Sequence, residues 1–301
     1  MRWARPIDAT QRTTRRLSMA RIMIFGCGDV GIALGRLLAD EGHTVYGLRR
    51  QASALAPPLI PVTGDVTQPS ILERLPVIDY AFYLVAASGY SDAAYRAAYV
   101  DGVRNVQVAL GASQGVRRFI FASSTSVYGQ SDGVWVDEGT PTHPDGFSGR
   151  RMLEGERRVA NGPFPATVVR FGGIYGPDRR RLIERVRTGK PCIDDPPQYT
   201  NRIHRDDCAG VLRHLMALEE PASLYLGVDC EPAAECEVMT WIAHKLGVAP
   251  PRRVSAMAAE VAPQRGNKRC RNARLLASGY RFKFPTFREG YAALIESTDP
   301  S

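Results

Sequence analysis

Lysine is almost missing from this chain. Of 39 basic residues only four are Lys (Lys190, Lys245, Lys268 and Lys283) and the other 35 are Arg, so chemistry that needs an amine is confined to four positions. Long apolar runs are missing too. The longest, Tyr80 to Ala87, is eight residues, far below the roughly 20 a membrane-spanning helix requires, so no membrane partner is expected. The six cysteines form no Cys-x-x-Cys and no Cys/His pair at metal-ligand spacing. Neither a zinc site nor a disulfide framework is therefore indicated, and a reducing cytoplasm is the expected compartment.

What is present is an ordinary globular composition: 301 residues, 44% hydrophobic and 23% charged, which argues against a disordered chain. The formal net charge is +8, but residues 1 to 18 hold five Arg against a single acid, Asp8, so half of the excess lies there. The remaining charges are interspersed, with no basic stripe interleaved with aromatics, and no nucleic-acid partner is expected. Residues 1–19 read as a disordered basic leader. It has no apolar core for a secretory signal; an organelle transit peptide and an over-extended start before Met19 stay open beside a disordered arm.

From Arg21 onward, short apolar runs alternate with amphipathic stretches, the pattern of a parallel sheet covered by helices. Strands are expected at 22–25, 43–48, near 60, at 80–87, 118–123 and 166–171, and helices at 30–40, 91–113 and 148–160. The fold class is therefore α/β, a Rossmann-type doubly wound parallel sheet with a small, partly discontinuous C-terminal lobe. Residues 20–175 form the nucleotide-binding domain. Residues 176–301 form mainly a substrate-binding lobe, with 203–228 returning to the first domain. Helices are expected at 179–188, 205–218 and 235–246 and near 272 and 287, with strands near 203 and at 224–228.

Gly26-Cys27-Gly28-Asp29-Val30-Gly31 is a G-x-G-x-x-G between the first strand and the first helix. Its glycines suit a tight turn, a close approach of backbone to a pyrophosphate, and helix packing on strand. The end of the second strand, where an acid would hold a ribose 2′-hydroxyl, reads Leu48-Arg49-Arg50. A guanidinium there suits a 2′-phosphate, so NADP is expected as cofactor, with NAD as the alternative. Asp65, after the third strand, is placed to accept from an adenine amino group.

The chain resembles the extended short-chain dehydrogenase/reductase superfamily, in its NAD-dependent epimerase/dehydratase branch and as an atypical member. The residues that carry the resemblance are Gly26 to Gly31, Gly64-Asp65, Val85-Ala86-Ala87, Val100 to Asn105, Phe121 to Gly129, Arg170 to Pro177 and Ile203 to Asp207. They span roughly residues 20 to 295. The resemblance adds Val66, Ala86 and Ala87 to the cofactor wall and implies that Ser124 is the hydroxyl that bonds a substrate carbonyl or alcohol.

The family's Tyr-x-x-x-Lys is missing: no Tyr lies four residues before any of the four lysines. Aligning on Leu153 to Glu156 puts Ser148 and Met152 at the two positions; a register one residue earlier gives Phe147 and Arg151. Substitutes are open. Arg150 or Arg151 can supply the missing charge, and Tyr128, His143, Ser148 and His204 are candidate proton donors, His204 having the best case beside the cleft. Arg179 and Arg202 are candidate grips for an anionic substrate. The aromatics of the closing segment, Asn267 to Gly290, read as core. The expected function is an NAD(P)-dependent oxidoreductase, epimerase or dehydratase acting on a carbonyl or alcohol of a small-molecule, nucleotide-sugar-like substrate. A cofactor-binding sensor or assembly protein that has lost catalysis is the alternative, and monomer and homodimer both stay open.

Overall fold

The computed structural model describes residues 18–70, 75–111, 115–257 and 266–297. The expected leader thus lies, apart from Ser18 and Met19, outside the described residues, as does the end of the helix expected at 91–113. The chain begins β1 (Arg21–Phe25), α1 (Asp29–Asp40), β2 (Thr44–Arg49), β3 (Ile60–Thr63) and β4 (Tyr80–Tyr83). It continues through α2 (Asp92–Arg96), α3 (Gly102–Gly111), β5 (Arg118–Ser124), β6 (Trp135–Val136), α4 (Phe147–Ala160) and β7 (Ala166–Phe171). Next come β8 (Gly173–Tyr175), α5 (Arg181–Arg187), β9 (Cys192–Asp195), β10 (Tyr199–Thr200), β11 (Arg202–His204), α6 (Arg205–Ala217) and β12 (Leu224–Gly227). The chain closes with β13 (Ala233–Ala234), α7 (Glu235–Leu246), β14 (Arg253–Ser255), β15 (Arg269–Cys270), α8 (Ala273–Ala277) and α9 (Phe287–Glu296).

Seven strands form one sheet in the order β12-β7-β5-β4-β1-β2-β3, and every neighbouring pair is parallel. This is the doubly wound sheet expected from the alternating pattern. The strand order reverses between β1 and β4, and a crevice at their carboxyl ends is where such sheets take ligands. One face is covered by a core around Tyr83, Phe119, Phe121, Val103 and Val106. The other is covered by α1 and α6, through Leu34, Leu38, Val211 and Leu215. In α1 the buried residues Gly31, Leu34, Gly35 and Leu38 recur at three and four positions, the stripe that fixes which side faces the sheet.

Two elements differ from expectation. The fourth strand stops at Tyr83, and Leu84 to Ala86 leave the sheet to line a cavity at its carboxyl edge. The single helix expected over 91–113 is interrupted by a π-helical turn, Ala97–Asp101. There the Tyr83 hydroxyl donates to the Ala98 carbonyl, and an inserted side-chain donor of this kind is a recognised cause of such a bulge.

Residues from 175 onward build a third core around Tyr175, Val238, Met239, Ile242, Phe287 and Tyr291, between α5, α7 and α9. A disulfide, Cys192–Cys236, ties β9 to α7 inside that core. This corrects the expectation of no disulfide: 44 residues separate the partners, and only the packing of α7 on β9 brings them together. No helix among the described residues is long and apolar enough to cross a membrane.

Candidate active site

The Gly-rich turn leaves β1 through Gly26, whose φ is +79°. A Cβ there would lie 2.6 Å from the backbone of Val85 on the loop after β4, so both conformation and contact require glycine. At Gly28 a Cβ would meet nothing within 4 Å, because this position opens on the cavity, whereas at Gly31 it would press on Ile24 at 3.1 Å. The turn therefore separates an approach surface at Gly28 from a packing contact at Gly31. It aims the amino end of the 12-residue α1 into the crevice, a favourable place for a phosphate.

That crevice is a cavity of about 900 Å³. Gly26, Gly28, Asp29, Val30, Gly31, Arg49, Arg50, Asp65, Val66 and Ala86 all border it. Ala87 does not; it packs against the core behind the wall. Asp65 Oδ1 accepts from the Thr67 amide at 2.9 Å and hydroxyl at 2.8 Å, which fixes the carboxylate at the cavity wall. Among the described residues neither Arg49 nor Arg50 enters an ion pair.

A second cavity, about 1170 Å³, lies between the sheet and the second lobe. The two share Ser124, Gly172, Ile174 and Arg179 as common wall. Ser124 ends β5, and its Oγ accepts from the Ser126 amide at 3.1 Å, which leaves the hydroxyl proton free to be donated. Arg179 is held by Asp29, Nε to Oδ2 at 2.8 Å, and the other carboxylate oxygen takes Arg205 at 2.8 Å. Asp29 thus joins the first helix to both lobes.

Beneath Ser124 runs a buried polar chain. Ser123 donates to Glu156, and Arg170 grips both oxygens of Glu156 at 2.9 and 2.7 Å. Arg170 also donates to the Tyr128 hydroxyl at 2.7 Å, and that hydroxyl donates to the Asp137 carbonyl at 2.7 Å. Burial pushes the Tyr128 phenol up to about 12. Fully bonded and out of both cavities, it is a strut and not the proton donor that the sequence left open.

The other substitutes for the family's acid and base are placed as follows. His204 does not face the cleft. It is 3% exposed, Nδ1 accepts from the Asp206 amide at 3.1 Å to cap α6, and the ring lies against Phe284 and Tyr175. Burial lowers its pKa to about 4, so it is a neutral cap. Arg151 is turned away as well, to Asp92 at 2.8 Å and Glu154 at 2.8 Å. Arg150 donates to the Asp145 carbonyl at 2.6 Å. Ser148 and His143 border neither cavity, while Met152, one turn beyond Ser148, borders the first. α4 carries neither Tyr nor Lys.

The second cavity is strongly basic. Arg181, Lys190 and Arg252 stand exposed along it, Arg202 and Lys268 are buried in its wall, and one acid, Glu235, is already taken by Arg185 at 2.6 Å. The sequence singles out Arg202 as a grip for an anionic substrate but marks Lys268 only as one of four lysines. No motif marks it, since the chain reaches the cavity there from a segment about 140 residues beyond Ser124.

Residues 22–193 match the model of the NAD dependent epimerase/dehydratase family. A Methylobacillus flagellatus structure, described provisionally as an NAD-dependent epimerase/dehydratase, is 37% identical, with 93% of this chain and 99% of that chain covered and a TM-score of 0.79. Protein YeeZ of Escherichia coli (strain K12) is 28% identical over 248 residues, 78% of this chain and 86% of that protein. The Bordetella bronchiseptica enzyme WbmG, solved in complex with NAD and UDP, shares the fold at 21% identity and a TM-score of 0.77, with 93% and 94% of the two chains covered.

Proposed function

The chain belongs to the NAD-dependent epimerase/dehydratase family, and from that premise we propose that it is an NADP(H)-using oxidoreductase, epimerase or dehydratase. Its substrate is an anionic, nucleotide-sugar-like alcohol or carbonyl compound. The observation that carries the reading is the common wall: Ser124 stands where the cavity at the Gly-rich turn meets a basic one. The residues present fit the cofactor. Gly28 leaves open space at the amino end of α1 for the pyrophosphate, Asp65 on the cavity wall would accept from the adenine amino group, and Arg49 and Arg50 would hold a 2′-phosphate. When bound, the nicotinamide supplies hydride exchange with a substrate carbon.

The protein's own part is positional and electrostatic. Ser124 donates its hydroxyl proton to the substrate oxygen as charge develops there, while Arg181, Lys190 and Arg252 attract phosphates. Met152 keeps the cofactor side of α4 apolar, so the proton that completes the reaction comes from elsewhere on the cavity wall.

The test is NADPH binding measured beside a hydride-transfer screen over carbonyl compounds, nucleotide-sugar carbonyls included. Ser124→Ala is expected to keep NADPH affinity within about twofold while lowering turnover by about 100-fold, the usual weight of one preorganised donor. Tight NADPH binding with no turnover on any member, unchanged by Ser124→Ala, would instead favour a cofactor-binding sensor or assembly protein.

A further inference from the structure

Two of the four scarce lysines border the basic cavity, and they differ sharply. Lys190 is exposed, whereas Lys268 is 4% exposed. The segment that carries Lys268 is clamped from both sides. Asn267 Oδ1 accepts from the Tyr199 amide at 2.8 Å and its Nδ2 donates to the Pro197 carbonyl at 2.9 Å. Asn201 donates to the Lys268 carbonyl at 2.9 Å and accepts from the Cys270 amide at 2.7 Å. On the far side the Gly133 amide donates to the Asn267 carbonyl at 2.8 Å, and the Arg269 amide to the Val134 carbonyl at 2.9 Å.

So held, Lys268 reaches inward and donates to the Tyr128 carbonyl at 3.0 Å, four residues beyond Ser124. That bond uses one of the three donors of an ammonium. Among the described residues no carboxylate comes within ion-pair distance of it; Cys270 and, after it, Asp145 act on it only through longer-range electrostatics. Burial lowers its pKa accordingly. Buried charges are ordinarily paired, and among the described residues this one has two donors to spare.

Arg202 stands in the same wall, 6% exposed, donating through Nη1 to the Thr200 carbonyl at 3.3 Å and also bonded to the Tyr291 hydroxyl. Asp229, whose amide donates to the Arg202 carbonyl at 2.6 Å, has its carboxyl pushed up by burial against the pull of the guanidinium. The cavity therefore has two sets of cations: an exposed set, Arg181, Lys190 and Arg252, and a buried pair, Lys268 and Arg202.

We propose that the buried pair binds a carboxylate on the reacting part of the substrate, separate from the phosphates met by the exposed set, so that the preferred substrate is a sugar acid of the uronate type. A carboxylate matches the pair in charge and offers two oxygens to the unused donors. The proposal rests on the nucleotide-sugar reading above for the rest of the molecule, but not for the carboxylate itself.

The test is calorimetry on the whole chain, with NAD+ and NADP+ both present, using UDP, UDP-glucose and UDP-glucuronate as probes. Wild type is expected to bind UDP-glucuronate about tenfold more tightly than UDP-glucose, and Lys268→Met to lose that advantage while changing UDP and UDP-glucose by no more than about twofold. Equal affinity for the two sugars in wild type, or uniform weakening of all three probes in Lys268→Met, overturns the proposal. A second measurement needs neither nucleotide nor variant: the rate of reductive methylation of Lys268 by formaldehyde with cyanoborohydride as the reductant, read by mass spectrometry. D-Glucuronate is expected to slow it several-fold and D-glucose to leave it unchanged; identical rates with either sugar overturn the proposal. If no UDP probe binds but glucuronate protects Lys268, the nucleotide reading falls and the carboxylate site stands.

Discussion

His204 was the best candidate proton donor in the sequence, and its surroundings show why residue type alone misled. An imidazole in an Ile-His-Arg-Asp stretch advertises a suitable intrinsic pKa, but Phe284, which buries it, lies 80 residues later. A consequence can be measured. The folded state holds His204 near pKa 4, below its usual 6.5, so the unfolded chain binds the proton first as pH falls. Stability is therefore expected to decline between about pH 6.5 and 4, at up to about 1.4 kcal/mol per pH unit. Denaturant midpoints across that range check it. His204→Asn, which keeps a capping side chain, is expected to flatten the decline; an unchanged slope would assign it to other groups. By contrast the residues expected to hold a cofactor, Ala87 apart, do border one cavity, because glycine at a strand-to-helix turn has few other uses and Arg49 closes β2 beside Arg50.

At the scale of elements, α4 shows what holds a helix in place under the sheet. Its acidic end was visible in Leu-Glu-Gly-Glu, but not that Glu156 would be buried against Arg170 and Ser123 and so fasten the helix beneath β5 and β7. Removing one member of such a pair leaves the other charged and unpaired. Glu156→Ala is expected to lower unfolding stability by about 3–5 kcal/mol, and Glu156→Ala with Arg170→Met to recover much of that loss. Urea unfolding of the single and double variants decides it; a double variant no more stable than the single one would mean the pair is not the fastener. The α2–α3 stretch was read as one helix because periodicity is local. The π turn depends on the Tyr83 hydroxyl arriving from β4, and no window of the sequence contains both.

For the whole molecule, the doubly wound sheet was legible because each strand-helix unit carries its own pattern, and parallel connections leave few arrangements. The second lobe was much less so. Its cavity wall is assembled from residues 172–202, 235, 252–254 and 266–268, together with Tyr291, and its disulfide joins positions whose spacing carries no motif. Lys268 illustrates the limit: its rarity was plain, its direction was not. The Gly-rich turn and the arginines at the end of β2 instead define one face of one crevice, and the central claim, that this crevice takes NADP(H), rests on them. The most direct measurement is a titration of NADPH and NADH on wild type and on the Arg49→Ala/Arg50→Ala variant. The double change is expected to weaken NADPH by at least about tenfold and NADH by less than about twofold. Equal weakening of both would contradict the 2′-phosphate assignment, and failure of wild type to bind either nucleotide would contradict the account as a whole.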